Sequence, residues 1–213
     1  MNASLAEVLA QHQLELSADQ VSLLEKYSQA LWRWNEKLNL TRHTDYEKFV
    51  SRDVLDSQQL SQLLEPGEEV LDIGSGGGVP GVILAILRPD LEVSLCESVG
   101  KKAAALEAIV RELALPTPVH RARAEDVLED LRFDVLTARA VGPLWKICTW
   151  LQPHWHSFDR LLAIKGPRWP EERGEARHRG LLNRVELRKV VSYPMPDTDS
   201  ESVILKIWRP RPT

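Results

Sequence analysis

In the segment Val70-Leu71-Asp72-Ile73-Gly74-Ser75-Gly76-Gly77-Gly78-Val79-Pro80-Gly81, a short apolar run leads into a glycine-rich turn and then the apolar stretch Val82 to Leu87. That order reads as strand, turn and helix, with Pro80 suited to a first helical turn and Pro89 to its end. Glycines at 74, 76 and 78 let the main chain take positive φ and let a ligand come close to the backbone. The spacing Gly76-Gly77-Gly78-Val79-Pro80-Gly81 also fits the dinucleotide pattern G-x-G-x-x-G, so on spacing alone two cofactor classes compete. Asp72 separates them. A carboxylate two residues ahead of the first glycine repels a pyrophosphate but not a cationic sulfonium amino acid. The turn therefore reads as an S-adenosylmethionine site, with Asp72, Gly74, Gly76 and Gly78 as cofactor-binding residues.

Two further acidic positions follow. Glu97 ends the predicted strand Leu91 to Cys96, where a carboxylate can take both ribose hydroxyls of an adenosine, as it also does in nicotinamide enzymes. Ala124-Glu125 follows the next strand. Taken alone it is an exposed acidic helix start, whereas behind the preceding motifs its amide and carboxylate can read an adenine edge. At the end of the fourth strand, Thr137-Ala138-Arg139-Ala140 stands where many base-modifying methyltransferases carry a catalytic Asn or Asp. The chain has no Asn/Asp-Pro-Pro-aromatic sequence, and neither Cys96 nor Cys148 follows a proline, so the usual machinery for amino-group and pyrimidine C5 methylation is missing. An arginine beside a sulfonium donor needs the donor's carboxylate, an RNA phosphate or a base oxygen as partner, and Arg139 is read in one of those roles.

These residues need a scaffold. From Glu69 onward strand and helix patterns alternate through Lys165, the signature of a doubly wound parallel sheet. Val185 to Val191 and Val203 to Ile207 are joined by a link too short for a crossover helix and form an antiparallel pair. The fold class is α/β: a Rossmann-like class I methyltransferase domain over residues 67–213, with an antiparallel C-terminal strand. Residues 1–66 form a helical extension packed on it, as one structural unit. Ser17 and Gln20 make a capping box for a helix running through Leu38, Asn39-Leu40-Thr41 ends it, and a second amphipathic segment covers about Tyr46 to Leu64.

Composition narrows the setting. With 213 residues and 43% hydrophobic content the chain can bury a sizeable core. Two cysteines without a Cys/His cluster support neither a disulfide framework nor a metal site, and no metal is expected. The absence of a signal segment and of a long apolar run points to a cytoplasmic protein without membrane contact. The monomer is the expected state. Net charge is −4, but residues 151–213 carry +4, mostly between Arg160 and Lys189, which reads either as a solvated charged surface or as one that contacts phosphates, Arg168 included.

Taken together, the chain resembles the bacterial 16S ribosomal RNA guanine-N7 methyltransferase family, also called small-subunit rRNA methyltransferase G or glucose-inhibited division protein B. The resemblance rests on Trp34-Asn35-Glu36-Lys37-Leu38-Asn39-Leu40-Thr41, Arg52 to Ser57, the Asp72 to Gly81 turn, Ser98 to Lys102, Arg123-Ala124-Glu125, Arg139-Ala140 and Lys165-Gly166. It implies that Gly74, Val79, Ala124, Glu125 and Arg139 bind S-adenosylmethionine, with Glu97 on the ribose. It also implies that Asn39, Arg52, Lys101, Arg123 and Lys165 border the cofactor and RNA surface, and that the partner is 16S rRNA or the small ribosomal subunit. In one departure, Asp53 stands where the family's R-H-x-x-D-S segment has His. Guanine N7 has a free lone pair and no proton to lose, which agrees with the missing catalytic base; Arg139 or Lys165 would hold the base oxygen or a flanking phosphate. A small-molecule methyltransferase and a non-catalytic ribosome assembly protein are the alternatives.

Overall fold

The computed structural model describes residues 3–196 and 198–210. Strands β1 (Glu69–Ile73), β2 (Glu92–Cys96), β3 (Val119–His120), β4 (Phe133–Arg139), β5 (Phe158–Lys165), β6 (Glu186–Pro194) and β7 (Glu201–Trp208) form one sheet in the order β3-β2-β1-β4-β5-β7-β6. β1 to β5 are parallel, and β7 runs antiparallel to both of its neighbours. The last strand of the chain thus lies inside the sheet. Val203, Ile204, Leu205 and Ile207 are apolar on both faces and fully or almost fully buried, which requires cover on both sides. β6, with Arg188 and Lys189 exposed and a register shift between Lys189 and Val191, takes the edge instead.

Alternation along the strands sends side chains to two separate cores. Val70, Val135, Leu162 and Ile204 face one layer, which contains α5 (Gly81–Leu87), α6 (Gly100–Glu112) and the N-terminal helices. Leu71, Leu136, Leu161 and Leu205 face the other, formed by α7 (Ala124–Asp130), α8 (Leu144–Leu151) and α9 (Trp169–His178).

The N-terminal region contributes α1 (Leu5–Gln11) and α2 (Ala18–Leu38), each opened by a capping box, Ser4 with Glu7 and Ser17 with Gln20. A further helix, α3 (Tyr46–Lys48), widens into a π-helical stretch (Phe49–Val54) and continues as α4 (Leu55–Ser61). α2 stops at Asn39, which adopts the left-handed conformation at φ 50°, and the Asn35 side chain accepts the Thr41 amide at 2.9 Å to fix the turn that follows. Tyr27 on α2 is fully buried and its hydroxyl donates to the Gly77 carbonyl at 3.0 Å, tying this helical layer to the glycine turn. Tyr27→Phe should cost about 1–2 kcal/mol, seen as a lower urea midpoint at unchanged m-value; an unchanged midpoint would show that the tether contributes nothing.

Candidate active site

A cavity of about 810 Å³ opens at the C-terminal ends of β1, β2 and β4, where an open α/β sheet binds its ligands. Its floor is the glycine turn. Gly74 has φ +67°, and a Cβ there would lie 3.0 Å from Val141, so the β1 turn and the segment after β4 meet closely because residue 74 has no side chain. Gly77 is in turn covered by Leu31 and by the main chain of Leu40, which brings the segment after α2 to the cavity.

Toward β2 and β3 the wall is acidic. Glu97 is 6% exposed, and its carboxylate accepts the amides of Gly76 at 2.9 Å and Val99 at 2.7 Å, which leaves lone pairs on each oxygen for a hydroxylated ligand. Ala124 and Glu125 open α7 beside it. Gly74, Gly76, Val79, Glu97, Arg123, Ala124, Glu125 and Arg139, separated along the chain, thus all line one cavity.

Toward β4 the wall is an ion-pair cluster. Arg139 meets Asp53 at 2.8 Å and Asp56 at 2.7 Å, Asp53 also meets His43 Nδ1 at 2.8 Å, and the Tyr193 hydroxyl donates to Asp56 at 2.6 Å. Burial alone disfavours the Arg139 charge, but Asp53 and Asp56 outweigh it and raise its pKa. The partners expected for Arg139 lay in a ligand; the structure supplies two carboxylates of its own from the π-helical stretch and α4. His43, Asp53, Arg42, Lys146 and Trp150 also line the cavity, and the sequence pattern did not single them out as site residues. The departure from His at position 53 was the one signal that pointed here.

Several expected positions lie elsewhere than in the cavity wall. Asp72 is fully buried behind the turn rather than in the cavity wall. Its carboxylate accepts the Gly81 amide at 3.2 Å and the Thr137 hydroxyl at 2.9 Å, and burial pushes its pKa up to about 7. Through these bonds the residue fastens β1 to α5 and β4. Gly78 is likewise behind the turn, against Tyr27, Val82 and Leu106. Lys165 is 9% exposed and donates to the Gly142 carbonyl at 2.5 Å and to Glu172 at 2.8 Å; Glu172 also takes the Leu144 amide, so Lys165 braces the β4–α8 connection against α9. Asn39, Arg52, Lys101 and Arg168 also lie outside the cavity wall, Arg52 donating to the Pro196 carbonyl at 3.3 Å.

The basic run from Arg160 to Lys189 is not one surface. Arg160 pairs with Glu68 at 2.7 Å near the start of β5, at the opposite end of the sheet from the cavity, and Arg188 lies by Trp208 at that same end. Arg179 stacks over Trp145 at 3.9 Å. Burial pushes the Cys96 and Cys148 thiols up to about 12 and about 11, which removes both as thiolate nucleophiles.

Among solved structures, the fold is similar to MtNAS in complex with MTA and tNA, with a TM-score of 0.59 at 14% identity, covering 97% of this chain and 76% of that one. It is also similar to M. capricolum TrmK bound to S-adenosyl-homocysteine, with a TM-score of 0.55 at 12% identity over 72% of this chain and 67% of that one. The ribosomal RNA small subunit methyltransferase G of Rhodopirellula baltica is 56% identical over 92% of this chain and 84% of its own length. That of Chromobacterium violaceum is 37% identical over 96% of each. The model of the family described as rRNA small subunit methyltransferase G matches residues 20–200. With that match over most of its length and a class I methyltransferase fold around the cavity, this chain belongs to the rRNA small subunit methyltransferase G family.

Proposed function

We propose that this protein transfers a methyl group from S-adenosylmethionine to N7 of a guanine in 16S ribosomal RNA. The observation that carries the reading is the β4 end of the cavity. At that end the chain places Arg139 with Asp53 and Asp56 both paired to its guanidinium. An acceptor that keeps its own lone pair and has no proton to lose suits such a wall, and guanine N7 is one.

The residues present fit the cofactor. Glu97 offers carboxylate lone pairs to ribose hydroxyls, Ala124 and Glu125 stand at the adenine end, and the bare main chain of Gly74 and Gly76 admits the sulfur-bearing chain. When bound, S-adenosylmethionine supplies an electrophilic methyl group. The protein's part is orientation and fixed electrostatics rather than proton transfer. Arg42, Lys102, Arg123 and Lys146 line the cavity and, among the described residues, have no carboxylate partner, which leaves their charge available to RNA phosphates. The half-buried Trp150 ring, with Lys146 Nζ 5.8 Å from its centroid, adds an apolar plane to that rim.

The test is methyl transfer from labelled cofactor to small-subunit particles and to naked 16S RNA, followed by chain cleavage at N7-methylguanine. Label at one cleavable guanine, with RNA binding that weakens steeply as salt rises, is the expected result. Label on an exocyclic amine, or none on RNA, overturns it.

A further inference from the structure

The outer face of α8 has a composition that packing does not explain. Leu144, Ile147, Cys148 and Leu151 are buried in the core, which turns Trp145, Lys146, Thr149 and Trp150 outward along one side of the helix. Both tryptophans are half-buried, and each has a cation against its ring: Lys146 Nζ lies 5.8 Å from the Trp150 centroid and Arg179 lies 3.9 Å over Trp145. Neither indole N–H has a hydrogen-bond partner among the described residues, whereas that of Trp32 donates to the His43 carbonyl at 2.8 Å. Arg179 is held as a plane. Trp145 backs the guanidinium and Glu175 takes its Nε at 2.6 Å, yet the side chain is 46% exposed and neither Nη group has a partner among the described residues. Fixing a long exposed side chain costs rotamer entropy and a surface ion pair returns little stability, so what the arrangement gains is orientation.

This face is continuous with the cavity. Lys146 and Trp150 line the cavity, and Trp145 with Arg179 carries the same surface beyond it toward α9. Lys146 and Arg179 against Glu175 leave it positive on a chain whose net charge is −4. An acidic peptide would use the charge but not the planes, and duplex RNA offers phosphates with its base faces covered; unpaired RNA offers both phosphates and base faces. A guanine that reaches a methyl group inside a cavity has to leave its stack, which uncovers the faces of its neighbours. We propose that the outer face of α8 is a stacking platform for the unpaired nucleotides beside the target guanosine, with one base against Trp150 at the cavity mouth and another on the Arg179 guanidinium backed by Trp145. The inference rests on the RNA reading above and deepens it, since it gives the substrate strand a path away from the cavity and specifies that this part of it is single-stranded.

Steady-state methyl transfer by Arg179→Ala and Arg179→Lys, to naked 16S RNA or to small-subunit particles according to which the wild type methylates, tests the platform. In both variants KM for RNA should rise roughly 10-fold, the size of one lost base stack, with kcat and S-adenosylhomocysteine affinity unchanged. Arg179→Lys keeps the charge and loses the plane, so a wild-type KM in that variant makes Arg179 a simple phosphate contact and overturns the proposal. A wild-type KM in Arg179→Ala, or a lower kcat at unchanged KM, overturns it as well. A cleavage reagent tethered at Thr149→Cys locates the contact, since Thr149 is exposed while Cys96 and Cys148 are buried. Cuts in unpaired nucleotides next to the methylated guanosine are expected; cuts confined to paired RNA, or none, overturn the proposal. Wild-type protein that transfers no methyl group to RNA overturns the RNA reading and this inference with it, whereas wild-type transfer with an unaffected Arg179→Ala overturns this inference alone.

Discussion

Arg139→Ala is expected to abolish methyl transfer and to cost about 3–5 kcal/mol of stability, because it strips Asp53 and Asp56 of the one cation they share. Asp53 is 1% and Asp56 3% exposed, and water entering the space left by the guanidinium would not neutralise their charges. Asp56 would keep the Tyr193 hydroxyl and Asp53 would keep His43, but neither supplies a fixed positive charge. Arg139→Lys should recover only part of the loss, since one ammonium does not reproduce a planar fork with separate bonds to two carboxylates. Stability and function can be told apart. Converting Asp53 and Asp56 to Asn together with Arg139→Ala removes the orphaned charges and should restore much of the denaturation midpoint without restoring turnover. If the single variant melts with the wild type, the cluster is not the structural joint described above. If it methylates RNA at the wild-type rate, Arg139 has no part in the site.

Gly81→Ala is the second large effect, and its cause is steric. A Cβ at residue 81 would lie 2.2 Å from Leu95 Cδ2 and 2.8 Å from both Cβ and Oδ2 of Asp72. Leu95 and Asp72 are fully buried, and the Asp72 Cβ is fixed by its own strand, so the clash can be relieved only by lifting α5 off the sheet. That movement also pulls the Gly81 amide from the Asp72 carboxylate. A loss of about 3 kcal/mol follows, or roughly 10 °C in melting temperature for a domain of this size. S-adenosylhomocysteine binding should weaken with it because the same turn forms the cavity floor. Gly100→Ala is the control. That residue has open space around it, a φ outside the positive range, and a place at the start of α6, so it should melt no lower than wild type. Equal melting of Gly81→Ala and wild type would mean that the turn is not packed as described.

Much of the scaffold was legible from local pattern. The capping box at Ser17 and Gln20, the end of α2 at Asn39, the strand from Phe133 to Arg139 and the antiparallel pair at the end all occur as expected. α1 was not identified, although Ser4 and Glu7 form the same kind of capping box; its short length offered little periodicity. The position of β7 between β5 and β6 was also beyond local reading, because burial on both faces shows that a strand is interior but not which strands flank it.

The candidate site divides along the same line. By itself the sequence determined the strand-turn-helix joint at the cavity floor and the residues at the tips of β2 and α7, since glycine spacing and strand ends act through near neighbours. It also determined the family resemblance. Only the tertiary structure decided what the charges do. Asp56 and Arg139 are 83 residues apart and pair at 2.7 Å, Lys165 turns to Glu172, and Asp72 is sealed behind the turn it was expected to present. A carboxylate has the same chemistry wherever it stands in a sequence. Whether it meets a ligand, an arginine or an amide depends on which distant elements close over it, and at Asp53 that closure seals one oxygen away without a hydrogen-bond partner.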